Sequence, residues 1–270
     1  MDKKLAVIMS IYKNDKLQYV TRSINSILEQ TYSDFDFYIQ IDGIISAEVE
    51  NYLDNIKDTR LILYKRDVNK GLASSLNELL SRVLIYSYSY IARMDADDES
   101  LSMRFEKQIN YFKEHEDIDC LGTWAIEINY RGEEYYKKKM PLSHEDCFFF
   151  FKKRDCLIHP TVMFKRSYFE KAGLYPEDTY FGEDTMMWLK GFKNNCRFSN
   201  IPDYLFKFRV DEDFFKRRRG WKHAKSIFKL RYKVNKALNY GIIAYLYSLL
   251  YACMKIMPTN VMNFIYKTIR

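Results

Sequence analysis

The first hundred residues of the chain alternate between short apolar runs and longer stretches with apolar residues at helical spacing. The apolar runs, which predict buried strands, are residues 4–11, 35–42, 61–65 and 88–94. The amphipathic stretches, which predict helices, are residues 17–30, 46–56 and 71–84. Regular alternation of strand and helix is typical of an α/β fold with a doubly wound, Rossmann-like, mostly parallel sheet flanked by helices.

The alternation weakens after residue 98, where a predicted helix over 103–112 and a predicted strand over 120–129 lead into mixed short elements. From residue 216 the pattern predicts helices, first basic and then apolar. We therefore expect a main domain over residues 1–212, with halves of about 1–100 and 101–212, and a helical extension over residues 213–270.

Charge is distributed unevenly along the 270 residues. Residues 1–200 contain 28 lysines and arginines against 32 acidic residues, whereas residues 201–270 contain 15 against 4. Residues 216–236 are strongly basic, and the next 18, 237–254, carry no charge and include four tyrosines. This combination predicts a helix lying in the plane of an anionic membrane surface, since the stretch is short for a spanning helix. A helix packed on the main domain and a dimer contact remain open alternatives.

Two further features concern the surroundings of the protein. The five cysteines are scattered, form no CxxC pair and are odd in number, which favours a reducing cytosol over a disulfide framework. The N-terminal apolar run suits a buried strand and is too short for a signal peptide. Nucleic acid is not expected as a partner, because the aromatic residues of the basic segment are not arranged as a stacking platform and no nucleic-acid-binding motif is present.

The fourth predicted strand ends in a dense group of carboxylates, in the sequence Arg93-Met-Asp95-Ala-Asp97-Asp98. Carboxylates this close repel one another, and a cation that prefers hard oxygen ligands, Mg²⁺ or Mn²⁺, relieves the repulsion. Ligands of open α/β sheets bind beyond the carboxyl ends of the strands, so a nucleotide diphosphate is the expected partner of the metal. A solvated acidic turn at a helix start is the alternative, whereas an EF-hand loop fits poorly because its sixth position is Ser100. Arg93 is either a phosphate contact or a surface charge.

Seven motifs, in matching order, resemble those of family 2 glycosyltransferases with the GT-A fold. They are MSIYKND (9–15), QIDG (40–43), NKGLASSLNELL (69–80), ARMDADDESLSMRFEKQ (92–108), HPTVMFKRS (159–167), GEDTMMWLK (182–190) and FRVDEDFFKRRRG (208–220). The last three are similar to segments of the bacterial O-antigen and capsule members of that family. The first loop has no glycine, so the GxGxxG and P-loop patterns are absent.

This resemblance implies a UDP-sugar site with a divalent metal, Mn²⁺ or Mg²⁺. The residues it implies in nucleotide-sugar binding are Ser10, Tyr12, Asp42, Asn69, Gly71, Asp95 and Asp98. Among them Asp42 would bind uracil, although Ile41 stands where the family often has a second acidic residue. Asp97 would be the main metal ligand, Asp95 would contact the metal or the ribose, and Asp98 would orient both.

The resemblance also implies an acceptor side, formed by the downstream motifs. In this family the aspartate of such a Glu-Asp pair is the general base, which makes Asp184 the expected catalytic residue, with Glu183 beside it. Negative charge at a helix N-terminus is the structural alternative for the pair, and both roles are compatible. His159 and Trp188 are weaker candidates for acceptor contacts, since a lone histidine or tryptophan is more often part of a core.

The resemblance implies an inverting transfer of glucose or galactose from a UDP-sugar, through a β-1,3 linkage. The expected acceptor is N-acetylglucosamine or N-acetylgalactosamine on undecaprenyl diphosphate, in O-antigen or capsule synthesis at the cytoplasmic face of a bacterial inner membrane. One alternative is a partner subunit that binds metal and UDP without transferase activity. Another is a nucleotidyltransferase, which would require a glycine- and lysine-rich loop after the first strand.

Overall fold

The computed structural model describes residues 4–178, 181–210 and 220–257. Its strands are β1 (Leu5–Tyr12), β2 (Phe35–Asp42), β3 (Leu61–Arg66), β4 (Tyr90–Asp95), β5 (Glu99–Ser100), β6 (Cys120–Ile128), β7 (Glu134–Lys138), β8 (Met163–Lys165) and β9 (Phe198–Arg209). Its helices are α1 (Leu17–Leu28), α2 (Ala47–Asp54), α3 (Leu72–Val83), α4 (Arg104–Glu114), α5 (His144–Phe151), α6 (Arg166–Ala172), α7 (Glu183–Lys193), α8 (Trp221–Ala237) and α9 (Ile242–Met254). The strands and helices predicted for the first hundred residues are confirmed.

One sheet carries all the strands of the described residues, in the order β3-β2-β1-β4-β8-β6-β9-β5, with β7 paired to β6. Strands β1 to β4 are parallel to one another, whereas the short β8 is antiparallel to both β4 and β6. The chain runs outward from β1 through β2 to β3 and then returns to the other side of β1 as β4. The strand order therefore reverses between β1 and β4, which is where ligands of such sheets bind.

The register of these strands brings polar side chains together at their carboxyl ends. Ser10 lies opposite Asp95 across the β1–β4 pair. Tyr12 lies opposite Asp42 across β1–β2, and Asp42 lies opposite Arg66 across β2–β3. Residues that are 85 positions apart in sequence (Ser10 and Asp95) thus become neighbours, which sequence distance alone conceals.

Both faces of the central sheet are buried, which explains why β1 reads as a continuous apolar run. Ala6 and Ile8 pack into a core that includes α3 and α7. Leu5, Val7 and Met9 pack into the opposite core, beneath α1, α2 and α4. All five side chains are fully buried. The parallel half of the sheet is therefore a rigid base for the polar residues at its edge.

The helices α8 and α9 form a hairpin that packs on the main domain. Leu230, Val234 and Ala244 belong to the same core as the residues of α3 and α7. Between the two helices, the buried amide of Asn235 donates to the carbonyl oxygen of Ala244 at 2.9 Å and to Ser248 Oγ at 2.8 Å. The predicted boundary near residue 212 and the basic residues 216–219 lie outside the described residues.

The uncharged stretch 237–254 is not a single helix. The chain turns at residues 238–241, where Asn239 has a positive φ of 53°, and α9 has 13 residues. Within the described ranges, no helix is long and apolar enough to cross a membrane. The buried side of α9 consists of Ala244, Ser248 and Ala252 and meets Asn235 of α8, whereas the opposite side of α9 is exposed.

Candidate active site

The three carboxylates after β4 lie together as an acidic turn, defined by Asp95, Asp97 and Asp98. Ligand oxygen atoms of the three side chains all lie within 4.8 Å of one another. Asp95 and Asp97 are partly exposed, whereas Asp98 is buried. The turn follows β4 directly, at the point where the strand order reverses, so it faces the expected ligand crevice.

Burial and mutual repulsion make this turn suitable for a cation. Burial, reinforced by the charge of Asp95, raises the pKa of Asp97 to about 6. Burial, with Asp97 and Asp95 adding to it, holds the pKa of Asp98 well above its usual range. Asp98 Oδ2 has no hydrogen-bond partner among the described residues. Clustered oxygen ligands, repulsion and an unpartnered buried oxygen together fit a divalent cation that prefers oxygen.

Two buried arginines hold the acidic turn in place. Arg93 is 1% exposed and forms a two-pronged ion pair with Asp95, with Nη1 at 2.7 Å from Oδ2 and Nη2 bonded to Oδ1. Arg209, at the end of β9, donates Nε to the Asp97 carbonyl oxygen at 2.8 Å and its backbone N–H to Asp98 at 2.7 Å. Arg93 is therefore neither a surface charge nor open to a phosphate in this arrangement, because its charge is committed to Asp95.

The carboxylate of Asp42 is buried and accepts four hydrogen bonds from protein donors. It accepts from Arg66 Nε at 2.9 Å and Nη2 at 2.6 Å, and from the backbone N–H groups of Lys70 at 2.8 Å and Gly71 at 2.9 Å. Three of these bonds end on Oδ1 and one on Oδ2, so protein donors engage both oxygens of the carboxylate. Asp42 is 2% exposed, and in this structure it holds the loop of residues 69–71 rather than facing the crevice.

The other residues predicted on the nucleotide side lie around this loop. Asn69 is exposed and donates its amide to the Asp42 carbonyl oxygen at 3.1 Å. Gly71 is the residue before α3 and has a φ of 90°, a conformation that favours glycine. Ser10 and Tyr12 are partly exposed at the end of β1. The structure thus groups them at one edge of the sheet, as their motifs predicted.

On the acceptor side, His159 lies in a short turn, His159–Thr161, and is 8% exposed. Its Nε2 is 2.8 Å from the hydroxyl of Tyr175. Burial, together with the positive charge of Arg93, keeps the pKa of His159 well below its usual range, so the ring is neutral near pH 7. The ring of His159 therefore supports Tyr175 through this hydrogen bond. Little of the ring surface is exposed for a direct contact with an acceptor.

Trp188 lies in the core and not at the surface of the site. Its side chain is fully buried, and its ring meets that of His159 edge-on at 5.7 Å between centroids. A ring enclosed on all sides offers no face on which a sugar can stack. This corrects the expectation of an acceptor contact: Trp188 packs beneath His159.

Glu183 and Asp184 form the first turn of α7. This position is the one expected if the pair only supplies negative charge at a helix N-terminus, and it is also compatible with a catalytic role. Glu183 and Asp184 are partly exposed and follow Gly182, which adopts a left-handed conformation with φ 86°. The backbone N–H of Thr185 donates to Asp184 Oδ1 at 2.7 Å. The positive end of the helix favours negative charge at this position. Asp184 thus presents a carboxylate at a fixed helix terminus.

The pKa of Tyr175 responds to Arg93, the partner of Asp95, and to the Glu-Asp pair. Burial raises the pKa of this phenol, Arg93 opposes the rise, and the charges of Asp184 and Glu183 add to it. A backbone hydrogen bond also joins β4 to the His159–Thr161 turn. The Arg93 N–H donates to the carbonyl oxygen of Val162, the residue that follows this turn, at 2.9 Å. Hydrogen bonds therefore join Tyr175 to two of the quoted motifs, through His159 and through Asn77.

Sequence reasoning did not find Tyr175, Arg66 or Arg209 as parts of this site. Arg209 lies inside the motif FRVDEDFFKRRRG. The motif therefore indicated that this segment belongs to the site, but it did not indicate which residues Arg209 binds. Tyr175 and Arg66 lie outside the quoted motifs. Their importance arises from contacts with residues that are far away in sequence, at His159 and Asp42.

Comparisons with known proteins agree with this geometry. The model of glycosyl transferase family 2 matches residues 6–173. The amylovoran biosynthesis glycosyltransferase AmsE of Erwinia amylovora is 31% identical, over 97% of this chain and 97% of that protein. A UDP-Gal:alpha-D-GlcNAc-diphosphoundecaprenol beta-1,3-galactosyltransferase of Escherichia coli is 28% identical, over 98% of this chain and 96% of that protein.

Among solved structures, S. aureus TarS 1-349 in complex with UDP-GlcNAc superposes with a TM-score of 0.64 at 16% identity. The superposition covers 94% of this chain and 82% of that one, and at this identity it concerns the fold. The family match spans β1 to β4, the acidic turn and the His159–Thr161 turn. The chain therefore belongs to glycosyl transferase family 2 and is a glycosyltransferase with the GT-A fold.

Proposed function

We propose that this glycosyltransferase transfers a hexose, glucose or galactose, from a UDP-sugar to an N-acetylhexosamine carried on undecaprenyl diphosphate. The observation that carries the proposal is the acidic turn, whose carboxylate oxygens lie within 4.8 Å of one another where the strand order reverses. A second acidic group, the Glu183–Asp184 pair, forms the first turn of α7. The first group suits a metal-bound diphosphate, and the second suits a hydroxyl nucleophile that must lose a proton.

In the proposed reaction, the acceptor hydroxyl oxygen bonds to the anomeric carbon while the bond from that carbon to the β-phosphate oxygen breaks. UDP leaves, and the proton of the hydroxyl passes to the carboxylate of Asp184. Attack and departure are in line on opposite faces of the sugar, so the configuration inverts. The N-terminus of α7 favours the ionised form of Asp184, which is the form that accepts a proton.

Family 2 enzymes of this fold generally use a divalent metal. We assign Mn²⁺ or Mg²⁺ to the acidic turn, with Asp97 as the main ligand and Asp95 as the second, its charge shared with Arg93. Asp98 orients the turn through Arg209. A cation bound there supplies positive charge against the charge that grows on the departing diphosphate.

We assign the nucleotide to the edge formed by Ser10, Tyr12 and the loop of residues 69–71. Asp42 takes part in uracil recognition through this loop and through Arg66, because its own carboxylate is buried and bonded to both. In this assignment the uracil is bound by Arg66 and by the loop of residues 69–71, which Asp42 holds in position. This differs from a direct carboxylate contact and agrees with the single acidic residue at this point of the sequence.

We assign the acceptor to the side of Glu183 and Asp184, which the buried pair of Tyr175 and His159 supports from within the core. The Escherichia coli relative, named for transfer of galactose to GlcNAc-diphosphoundecaprenol through a β-1,3 linkage, supports a lipid-linked N-acetylhexosamine and that linkage. The AmsE relative, named for amylovoran biosynthesis, supports a part in making a surface polysaccharide such as an O-antigen or capsule.

The test of this function is UDP release with a panel of UDP-sugars, a synthetic GlcNAc-diphosphate-lipid acceptor, and Mn²⁺ or EDTA. We expect release that requires both the acceptor and the metal, with UDP-glucose or UDP-galactose preferred. Binding of UDP without release for any donor and acceptor would instead identify a partner subunit without transferase activity. GalNAc-diphosphate-lipid serves as the matched acceptor that differs at one hydroxyl.

We also propose that the protein binds peripherally to the cytoplasmic face of a bacterial inner membrane through the outer face of α9. This face is defined by five exposed apolar residues, between 52% and 76% exposed, namely Ile242, Ile243, Leu246, Leu249 and Leu250. At 100° per residue they lie on the side of the helix opposite Ala244, Ser248 and Ala252. An apolar stripe of this kind is characteristic of helices that lie in a membrane interface.

The margins of this face suit lipid headgroups. Tyr247 and Tyr251 flank it, and each carries a lysine over its ring, Lys153 at 4.9 Å and Lys255 at 4.9 Å. Tyrosine favours the interface, and each basic residue near an anionic surface contributes about 1 kcal/mol. No acidic residue follows Asp213 in the sequence, so the charge around the hairpin attracts anionic lipids.

The double variant Leu246→Ser/Leu250→Ser is expected to weaken binding to phosphatidylglycerol-containing vesicles by about tenfold or more, since a leucine side chain contributes about 1.5–3 kcal/mol when fully buried. Vesicle co-sedimentation measures this. The matched control is Ile85→Ser, which removes an exposed apolar side chain (80% exposed) from the loop that follows α3. Equal binding by the two variants would contradict the assignment of this face, and so would equal binding to phosphatidylcholine alone.

A further inference from the structure

The helix α8 borders the short segment that carries the Glu-Asp pair, directly at Gly182 and through Asp155 at Thr185. On one side, Leu230 packs on Gly182, where an added β-carbon would lie 2.3 Å from a methyl carbon of Leu230. On the other side, the neighbouring Arg231 reaches Thr185 through Asp155. Two adjacent residues of the C-terminal helix therefore border the segment that contains Asp184.

The link through Arg231 is a buried ion pair. Arg231 is 2% exposed, and its Nη2 donates to Asp155 Oδ1 at 2.8 Å. Its Nη1 donates to the carbonyl oxygen of Phe151, at the end of α5, at 3.2 Å. A buried guanidinium needs such partners, because an unpaired charge in a core is strongly unfavourable. The arginine thus fixes Asp155 relative to α5 and α8.

Asp155 in turn holds the first turn of α7. The hydroxyl of Thr185 donates to both carboxylate oxygens of Asp155, at 2.8 and 3.0 Å. Thr185 is 2% exposed, and its backbone N–H donates to Asp184 Oδ1 at 2.7 Å. A continuous chain of hydrogen bonds therefore runs from Arg231 through Asp155 and Thr185 to the carboxylate of Asp184.

We propose that Arg231, Asp155 and Thr185 are positioning residues for the general base, so that the C-terminal helical hairpin is part of the active site. The proposal rests on the proposed function, in which Asp184 accepts the proton of the acceptor. A buried ion pair is weak evidence for stability, because desolvation offsets most of the attraction between its charges. Its effect here is to fix the orientation of the Asp184 carboxylate and its distance from the acceptor hydroxyl. Proton transfer is sensitive to both quantities.

This proposal predicts a loss of turnover that is separate from folding and from donor binding. Thr185→Val keeps the size of the side chain but removes the hydroxyl, and we expect kcat to fall by about 10- to 100-fold. Thr185→Ser keeps the hydroxyl and should stay close to wild type. The KM for the UDP-sugar should change little in both, because the nucleotide lies on the other side of the site.

Arg231→Met and Asp155→Asn test the rest of the chain. We expect each to lower kcat at unchanged UDP affinity, and the effects of Arg231→Met and Thr185→Val should be non-additive, since both break one chain. The matched control is Arg82→Met, which removes an exposed arginine from α3. Steady-state kinetics with the full chain, UDP titration and thermal unfolding are measured for every variant.

The outcomes are distinguishable. Low kcat for Thr185→Val, rescue in Thr185→Ser, and unchanged UDP affinity support the positioning role. Active wild-type protein with equal kcat in Thr185→Val and Thr185→Ser overturns it, as does a loss of turnover that only follows a loss of folded protein. Wild-type protein that releases no UDP with any donor overturns the proposed function, and this inference with it.

Discussion

Replacement of Asp184 by asparagine is expected to lower kcat by about 10²- to 10⁴-fold, the usual contribution of a positioned general base. Asparagine keeps the shape of the side chain and the hydrogen bond from the Thr185 N–H, but its amide cannot accept the proton of the acceptor hydroxyl. Turnover is measured as UDP release at saturating donor and acceptor. UDP affinity should be unchanged, because the acidic turn and the loop of residues 69–71 are intact.

Glu183→Gln is the matched control for this prediction, since it removes the adjacent carboxylate from the same turn of α7. We expect a smaller effect, concentrated in the KM of the acceptor. A larger loss of kcat in Glu183→Gln than in Asp184→Asn would identify Glu183 as the base. An equal collapse of UDP binding in Asp184→Asn would show that Asp184 is structural.

Removal of the metal is expected to have the second large effect. We expect EDTA to abolish UDP release and added Mn²⁺ to restore it, and we expect Asp97→Asn to lower kcat by about 10²- to 10³-fold, as loss of one preorganised electrostatic contact does. The reason is that the departing diphosphate needs positive charge, and the partly exposed Asp97 is the proposed main ligand. Mn²⁺ titration of UDP binding measures the loss of the site directly.

Stability provides the control for this second prediction. Without a cation, the carboxylates of the acidic turn repel one another, and burial and the Asp95 charge raise the pKa of Asp97 to about 6. Asp97→Asn removes one of these charges, so the metal-free variant should unfold at a temperature no lower than wild type. Asp203→Asn, which removes a partly exposed carboxylate of β9 that pairs with Lys107 of α4, is the matched variant. Full turnover in EDTA would contradict the metal assignment.

Local patterns sufficed to predict the parallel half of the fold. The apolar run of β1 is buried on both faces, and such burial leaves a continuous hydrophobic signal in sequence. The acidic turn was also predictable, because its three carboxylates are neighbours in the chain and the end of a strand sets their position. The Glu-Asp pair was found in the same way, as one motif in the first turn of one helix.

The contacts between different motifs could not be predicted from local sequence patterns. Asp42 was expected to bind uracil, and the structure shows its buried carboxylate bonded to Arg66 and to the loop of residues 69–71. Trp188 was a candidate acceptor contact, but it packs beneath His159. In both cases the residue type fits either a ligand contact or a structural role. Only the residues that the folded sheet places next to it decide between these roles.

By itself, the sequence determined the order of strands and helices, the acidic turn and the basic, apolar character of the C-terminal hairpin, because these features depend on residues close together in the chain. The tertiary structure decided which side of α9 is exposed, which carboxylates are occupied, and that Arg231 is joined to Thr185 through Asp155. These depend on contacts between residues that are many positions apart, and a buried charge reveals its partner only when the chain has packed around it.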